Sequence, residues 1–174
     1  MSKATTYRTV RKFRATSFAG QLTNLQPRPN NNAASRRDIV ATNEGLKGFW
    51  QRVLNDYGTR QVVFEVKNFE KLTVNEYRQV YSYLGKEYGK CGFIICRDKV
   101  KELTKGADLD AFREFYTKDA MIIKLTANFV VSMLNKLRSP QKFDVANDML
   151  TKHIDEHIRL YANGQTNSQK KKGK

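Results

Sequence analysis

The chain has 174 residues, 40% hydrophobic and 11% aromatic, enough for one substantial core and little more. Its 32 basic and 17 acidic residues leave a net charge of +15, which favours a polyanionic partner. No run approaches the ~18 apolar residues of a membrane span, and the N-terminus lacks the apolar segment of a secretory signal, so a soluble, cytoplasmic protein with no membrane partner is expected.

Residues 1–35 read as a basic arm with a short helix. No acidic residue precedes Asp38, whereas Lys3, Arg8, Arg11, Lys12, Arg14, Arg28, Arg36 and Arg37 all do. Phe18, Leu22 and Leu25 recur at helical spacing and predict a helix within Arg14–Gln26, which the run from Pro27 to Asn32 would break. Residues 36–162 read as an α/β domain. Arg36–Ala41 predicts a short strand that opens on Asp38, and Asn43 then reads as a helix cap. Leu46, Phe49, Trp50, Val53, Leu54 and Tyr57 mark one apolar helix face, with Gly58 as its stop.

Gln61–Asn68 predicts a second strand, buried and central. Thr73-Val74-Asn75-Glu76 has the form of a capping box, and Val74, Tyr77, Val80, Tyr81, Leu84 and Tyr88 form the core stripe of the helix it opens. Gly89–Cys96 supplies a turn and another buried strand. Cys91 and Cys96 alternate to opposite faces of it, so they cannot bridge each other and read as inert core thiols. Asp108 can cap a helix with Leu109, Phe112 and Tyr116. Met121–Leu125 is a strand, a helix with Phe129, Val130, Met133, Leu134 and Leu137 runs to Ser139-Pro140, and a last helix spans about Asp144 to Tyr161. Strands alternating with helices imply an α/β layer structure with crossovers. Residues 163–174, ending in Lys170, Lys171, Lys172 and Lys174, read as a disordered basic tail.

Two charges inside the central strand carry the functional reading. Alternation puts Val63, Glu65 and Lys67 on one face and Phe64 and Val66 on the other, so a carboxylate and an ammonium stand side by side on a strand whose other face is core. An intrastrand ion pair at a sheet edge would account for them, and so would a metal-binding carboxylate with a water-activating lysine. Asp38 stands where a strand pairing with the central one would bring it to Glu65 and Lys67. Two carboxylates and the carbonyl of Val66 suit a hard cation such as Mg²⁺, with Mn²⁺ able to substitute. Such a cation lowers the pKa of a bound water, and Lys67 could orient or help deprotonate that water. The flank Arg36-Arg37 adjoins this point and suits phosphate.

Asp38, then Glu65-Val66-Lys67, then a helix and the strand to Cys96 resembles the restriction-endonuclease-like nucleases with the PD-(D/E)xK motif, over roughly Arg36 to Leu137. The resemblance implies a mixed central sheet flanked by helices and a metal-dependent endonuclease acting on nucleic acid, most of all DNA, in restriction, defence or repair. Asp38, Glu65 and Lys67 would be catalytic, and Asp38, Glu65 and Val66 would hold the metal. Nucleic-acid contacts are expected from Arg36, Arg37, Asn68 and Gln79. A homodimer, or membership of a larger defence protein or complex, would suit this activity. The chain departs from the pattern in two ways: it lacks an acidic residue on a helix before Asp38, and a whole helix lies between Asp38 and Glu65. The first departure supports a competing expectation, an inactive nuclease-like domain that binds nucleic acid or scaffolds a larger complex.

Some members place a glutamine and a tyrosine four apart after the lysine, which Gln79 and Tyr83 match, although the ~100° helical step turns Gln79 away from the Val74–Leu84 stripe. His153-Ile154-Asp155-Glu156-His157 matches a short zinc-peptidase signature but reads better as an amphipathic surface. Tyr77, Tyr81 and Tyr88 sit on the core stripe, so packing accounts for them better than base stacking does.

Overall fold

The structure, a computed structural model, describes residues 21–27, 37–98, 107–136 and 142–159. Arg36, the arm 1–20 and the tail 163–174 lie outside the described residues, as do Leu137, Ser139-Pro140 and Tyr161 at the expected ends of the last two helices.

Five strands form one sheet: β1 (Leu22–Pro27), β2 (Ile39–Asn43), β3 (Gln61–Val66), β4 (Cys91–Cys96) and β5 (Met121–Thr126). They lie in chain order, β1-β2-β3 antiparallel and β3-β4-β5 parallel, so the sheet is mixed as expected. The helices are α1 (Gly48–Tyr57), α2 (Val74–Tyr83), α3 (Ala107–Tyr116), α4 (Ala127–Lys136) and α5 (Lys142–His157). The fold is therefore α/β with a mixed sheet flanked by helices. No helix among the described residues is long and apolar enough to cross a membrane.

Alternation along the strands sorts side chains onto two faces. Ile39, Ala41, Val62, Phe64, Cys91, Phe93, Met121, Ile123 and Leu125 point into the larger core beneath α1, α4 and α5. Its centre is aromatic: Phe49 meets Trp50 edge-on at 4.9 Å, and Phe64 stacks on Phe93 at 5.1 Å. Ile94, Cys96 and Ile122 face α2 and α3 in a second core. The two cysteines thus fall in different cores, as their spacing requires, and burial raises both thiols. Gly92 lets α2 lie close to the sheet, because a Cβ there would stand 2.7 Å from Val80 Cγ1.

The Thr73–Glu76 capping box forms as read, and Gly58 ends α1 in the left-handed conformation. Other expectations are corrected. Leu22 to Pro27 is a strand, not the end of a helix. A register shift between Thr23 and Gln26, with Asn24 at φ 45°, lets Leu22 and Leu25 both pack on the larger core. A bulge makes residues three apart share a strand face, which imitates helical spacing. Asn43 ends β2 instead of capping α1, whose N-cap is Lys47. The Asn43 side chain donates to the carbonyls of Trp50 (2.9 Å) and Thr59 (3.1 Å) and accepts from the Gly45 N–H (2.9 Å). Leu46, ahead of α1, is 64% exposed. On α2, Tyr81 is at the surface and Tyr83 is buried, because Val40 and Val63 form a small apolar patch over which Tyr83 closes.

Asp108 is the second residue of α3 and its carboxylate is buried. It accepts from Lys124 Nζ (2.5 Å) and from the Tyr77 hydroxyl (3.1 Å), while Asp98 accepts from Lys124 Nζ at 2.7 Å. Lys124 is 1% exposed. Burial works against its charge, but the bonds to Asp108 and Asp98 prevail and hold its pKa above the ordinary lysine value.

His153 and His157 are buried, not surface residues. His153 Nε2 lies 2.9 Å from the Lys124 carbonyl and His157 Nδ1 lies 2.8 Å from that of His153, with Phe129 and Phe112 against the two rings. Burial pushes His157 down to about 3, and the neighbouring His153 adds to this. A depressed folded pKa means the neutral ring stabilises the fold above the ordinary value of 6.5, and that stability is lost as pH falls towards 3. Urea unfolding is expected to show about 2 kcal/mol less stability from this residue at pH 5 than at pH 7. His157→Phe should flatten that part of the profile; an unchanged profile would assign the acid sensitivity to other groups.

Candidate active site

The antiparallel pairing of β2 with β3 matches Ile39 to Phe64, which leaves Asp38 beside the end of β3. Its Oδ2 accepts from the Val66 N–H at 2.9 Å. Glu65, one residue earlier, points to the α2 side of the sheet and is 3% exposed. Lys67 follows β3, its N–H donating to the Ile95 carbonyl at 2.8 Å. The Lys67 ammonium lies 2.8 Å from Glu65 Oε1 and 2.7 Å from Gln79 Oε1. Gln79 in turn donates from Nε2 to the Tyr83 hydroxyl at 2.7 Å. Asp38, Glu65, Lys67 and Gln79 therefore meet at one place.

This geometry removes the sheet-edge account of the Glu65/Lys67 pair, since β3 is the middle strand of five. Gln79, which the helical step turned away from the core stripe, faces Lys67.

Burial raises the pKa of Glu65; the bond from Lys67 opposes this and the charge of Asp38 adds to it. Glu65 Oε2 is buried and has no hydrogen-bond partner among the described residues. An orphaned buried carboxylate oxygen is costly unless something else satisfies it. Beside a second carboxylate, it is an oxygen-donor set suited to a hard divalent cation. The Val66 peptide adjoins it through its N–H bond to Asp38. Among the described residues there is no group of three or more His, Cys, Asp and Glu side chains able to hold a metal. A cation here would rest on two carboxylates and the backbone.

Arg37, beside Asp38, lies over the Tyr88 ring at 4.2 Å and the Tyr83 ring at 5.0 Å. Asn68 follows Lys67 and is exposed. The tyrosine contacts were not read from the sequence; the four-residue spacing of Gln79 and Tyr83 was the one signal pointing to them. A second constellation was missed altogether. Glu65 pairs in register with Ile94 and Ile94 with Lys124, so the Asp98/Lys124/Asp108 cluster shares this sheet face, two strands away across β4. The signal was a lysine inside the apolar run Met121–Leu125.

These features define an α/β domain in which a buried glutamate on the middle strand and a lysine just past its end are met by an aspartate that directly precedes the neighbouring antiparallel strand. Over 145 residues the chain is 48% identical to a protein of Escherichia coli (strain K12) named "Putative transposon gamma-delta 80.3 kDa protein". The match covers 83% of this chain and 21% of that protein, so the chain spans about a fifth of the length of the curated relative it matches. No family model and no solved structure matches the chain.

Proposed function

We propose that this chain is a Mg²⁺-dependent phosphodiesterase domain of the restriction-endonuclease-like type, cutting nucleic acid and, of the two polymers, DNA. The observation that carries the reading is the meeting of Asp38, Glu65 and Lys67, with Glu65 Oε2 left without a partner among the described residues. The relative's name associates that protein with a transposon, a DNA element, which is in keeping with a DNA substrate.

Asp38 and Glu65, with the Val66 carbonyl, would hold the cation, which when bound offsets charge on the scissile phosphate and acidifies a water. Lys67 Nζ is aimed by Glu65 and Gln79, so it can steer a water and offset the negative charge that develops on the phosphate. Tyr83 fixes the Gln79 amide, which keeps its carbonyl oxygen turned to Lys67. With a net charge of +15, binding should rest on phosphate contacts, Arg36 and Arg37 among them, and weaken steeply with salt.

Incubation with supercoiled plasmid and with oligonucleotides tests the reading. Nicked or linear product is expected with Mg²⁺ or Mn²⁺ and none with EDTA. The lack of a three-residue ligand cluster among the described residues favours a second reading, an inactive domain that binds nucleic acid within a larger protein or complex. Retarded but uncut DNA under all metal conditions would select it.

A further inference from the structure

We infer that Arg37, with Tyr83 and Tyr88, is a preformed subsite for a backbone phosphate of the nucleic acid, next to the position where the chain would be cut. Arg37 is partly buried, and its Nε is buried with no hydrogen-bond partner among the described residues. No carboxylate among the described residues pairs with it. Burying a guanidinium without a counter-ion is costly, so the fold retains an arrangement that an anion would complete.

The tyrosine rings decide what kind of anion fits. They stand 4.2 and 5.0 Å from the guanidinium carbon, and these cation–π contacts use none of its N–H donors. A planar fork of donors held in one orientation matches two oxygens of a phosphate, and less conformational freedom is lost on binding than with a free side chain. The two rings reach Arg37 from different elements. Tyr83 closes α2, whereas Tyr88 sits in the turn that the Gly85–Gly89 bridge pinches shut. Tyr83 is also bonded through Gln79 to Lys67. The subsite and the carboxylate site therefore share one set of contacts, and Asp38 is the next residue in the chain.

This inference rests on nucleic acid as the ligand proposed above, but not on hydrolysis. It is tested on the full chain in EDTA, where no cutting can occur, with an abasic sugar–phosphate oligonucleotide and with inorganic phosphate. Arg37→Ala is expected to weaken binding of the abasic strand about tenfold and to lower the slope of log K against log salt by about 1. Arg37→Lys should keep the slope and still lose affinity, because a point charge does not reproduce the fork. Tyr88→Leu should loosen binding about threefold with the slope unchanged. In wild-type protein the Arg37 Nε–H resonance should shift on addition of phosphate. Unchanged affinity and slope in Arg37→Ala, or an Nε–H resonance that phosphate does not move, would make Arg37 a structural strut and overturn the inference. If Arg37→Ala fails to fold, the resonance and Tyr88→Leu still decide. Lack of cleavage in Mg²⁺ would defeat the nuclease reading and leave these results standing.

Discussion

Lys67→Ala is expected to abolish Mg²⁺-dependent cleavage, by at least about 10³-fold, while DNA affinity measured in EDTA falls no more than about threefold. The reason is geometric. Lys67 is 14% exposed along its side chain and its ammonium is bonded to Glu65 and Gln79 inside the site, so little of it is offered to a passing phosphate backbone. Asp38→Ala should behave the same way, since its carboxylate is engaged by the Val66 N–H. Gel-shift titration in EDTA beside a plasmid-cleavage time course in Mg²⁺ reads both quantities. Parallel loss of binding and cutting would mean that these residues hold the fold or the ligand, and the assigned roles would be wrong.

The second large effect is on stability. Lys124→Met should cost roughly 3–5 kcal/mol in urea unfolding, because it strands Asp98 and Asp108 without their shared cation. Tyr77 would also keep its bond to an uncompensated carboxylate. Replacing the lysine together with Asp98 and Asp108 by apolar residues of similar size should recover most of the loss, since the cost lies in unpaired charge more than in the missing pair. The intact cluster has its own pH signature. A lysine raised above its ordinary 10.5 contributes stability that is complete below that value and is lost as pH rises through the folded value. A loss under 1 kcal/mol in Lys124→Met would show that the cluster is solvated in solution.

Much of this architecture was legible because burial leaves plain marks on a sequence. Runs such as Val62-Val63-Phe64 and Ile94-Ile95 can hardly be anything but interior strand, and Thr73 with Glu76 announces a helix start by mutual hydrogen bonding. Glu65 and Lys67 stood out for the same reason inverted: charge within such a run is too costly to be incidental. What stayed hidden depends on partners distant in the chain. Leu22 and Leu25 imitate a helix only because a bulge intervenes, which spacing alone cannot distinguish. His153 and His157 alternate with polar neighbours, yet α5 turns them inward against Phe112 and Phe129. Lys124 is made tolerable by carboxylates 26 and 16 residues away. The contact of Arg37 with Tyr83 and Tyr88 exists only once β2, α2 and the turn before β4 have assembled.

The most direct test is titration of the metal-free protein with Mn²⁺, followed by electron paramagnetic resonance of the free ion, for wild type, Asp38→Asn and Glu65→Gln. Wild-type protein should take up one equivalent, and each substitution should weaken uptake by at least about tenfold, a difference of about 1.4 kcal/mol. Uptake that neither substitution alters, or none in the wild type, would contradict a shared cation at Asp38 and Glu65.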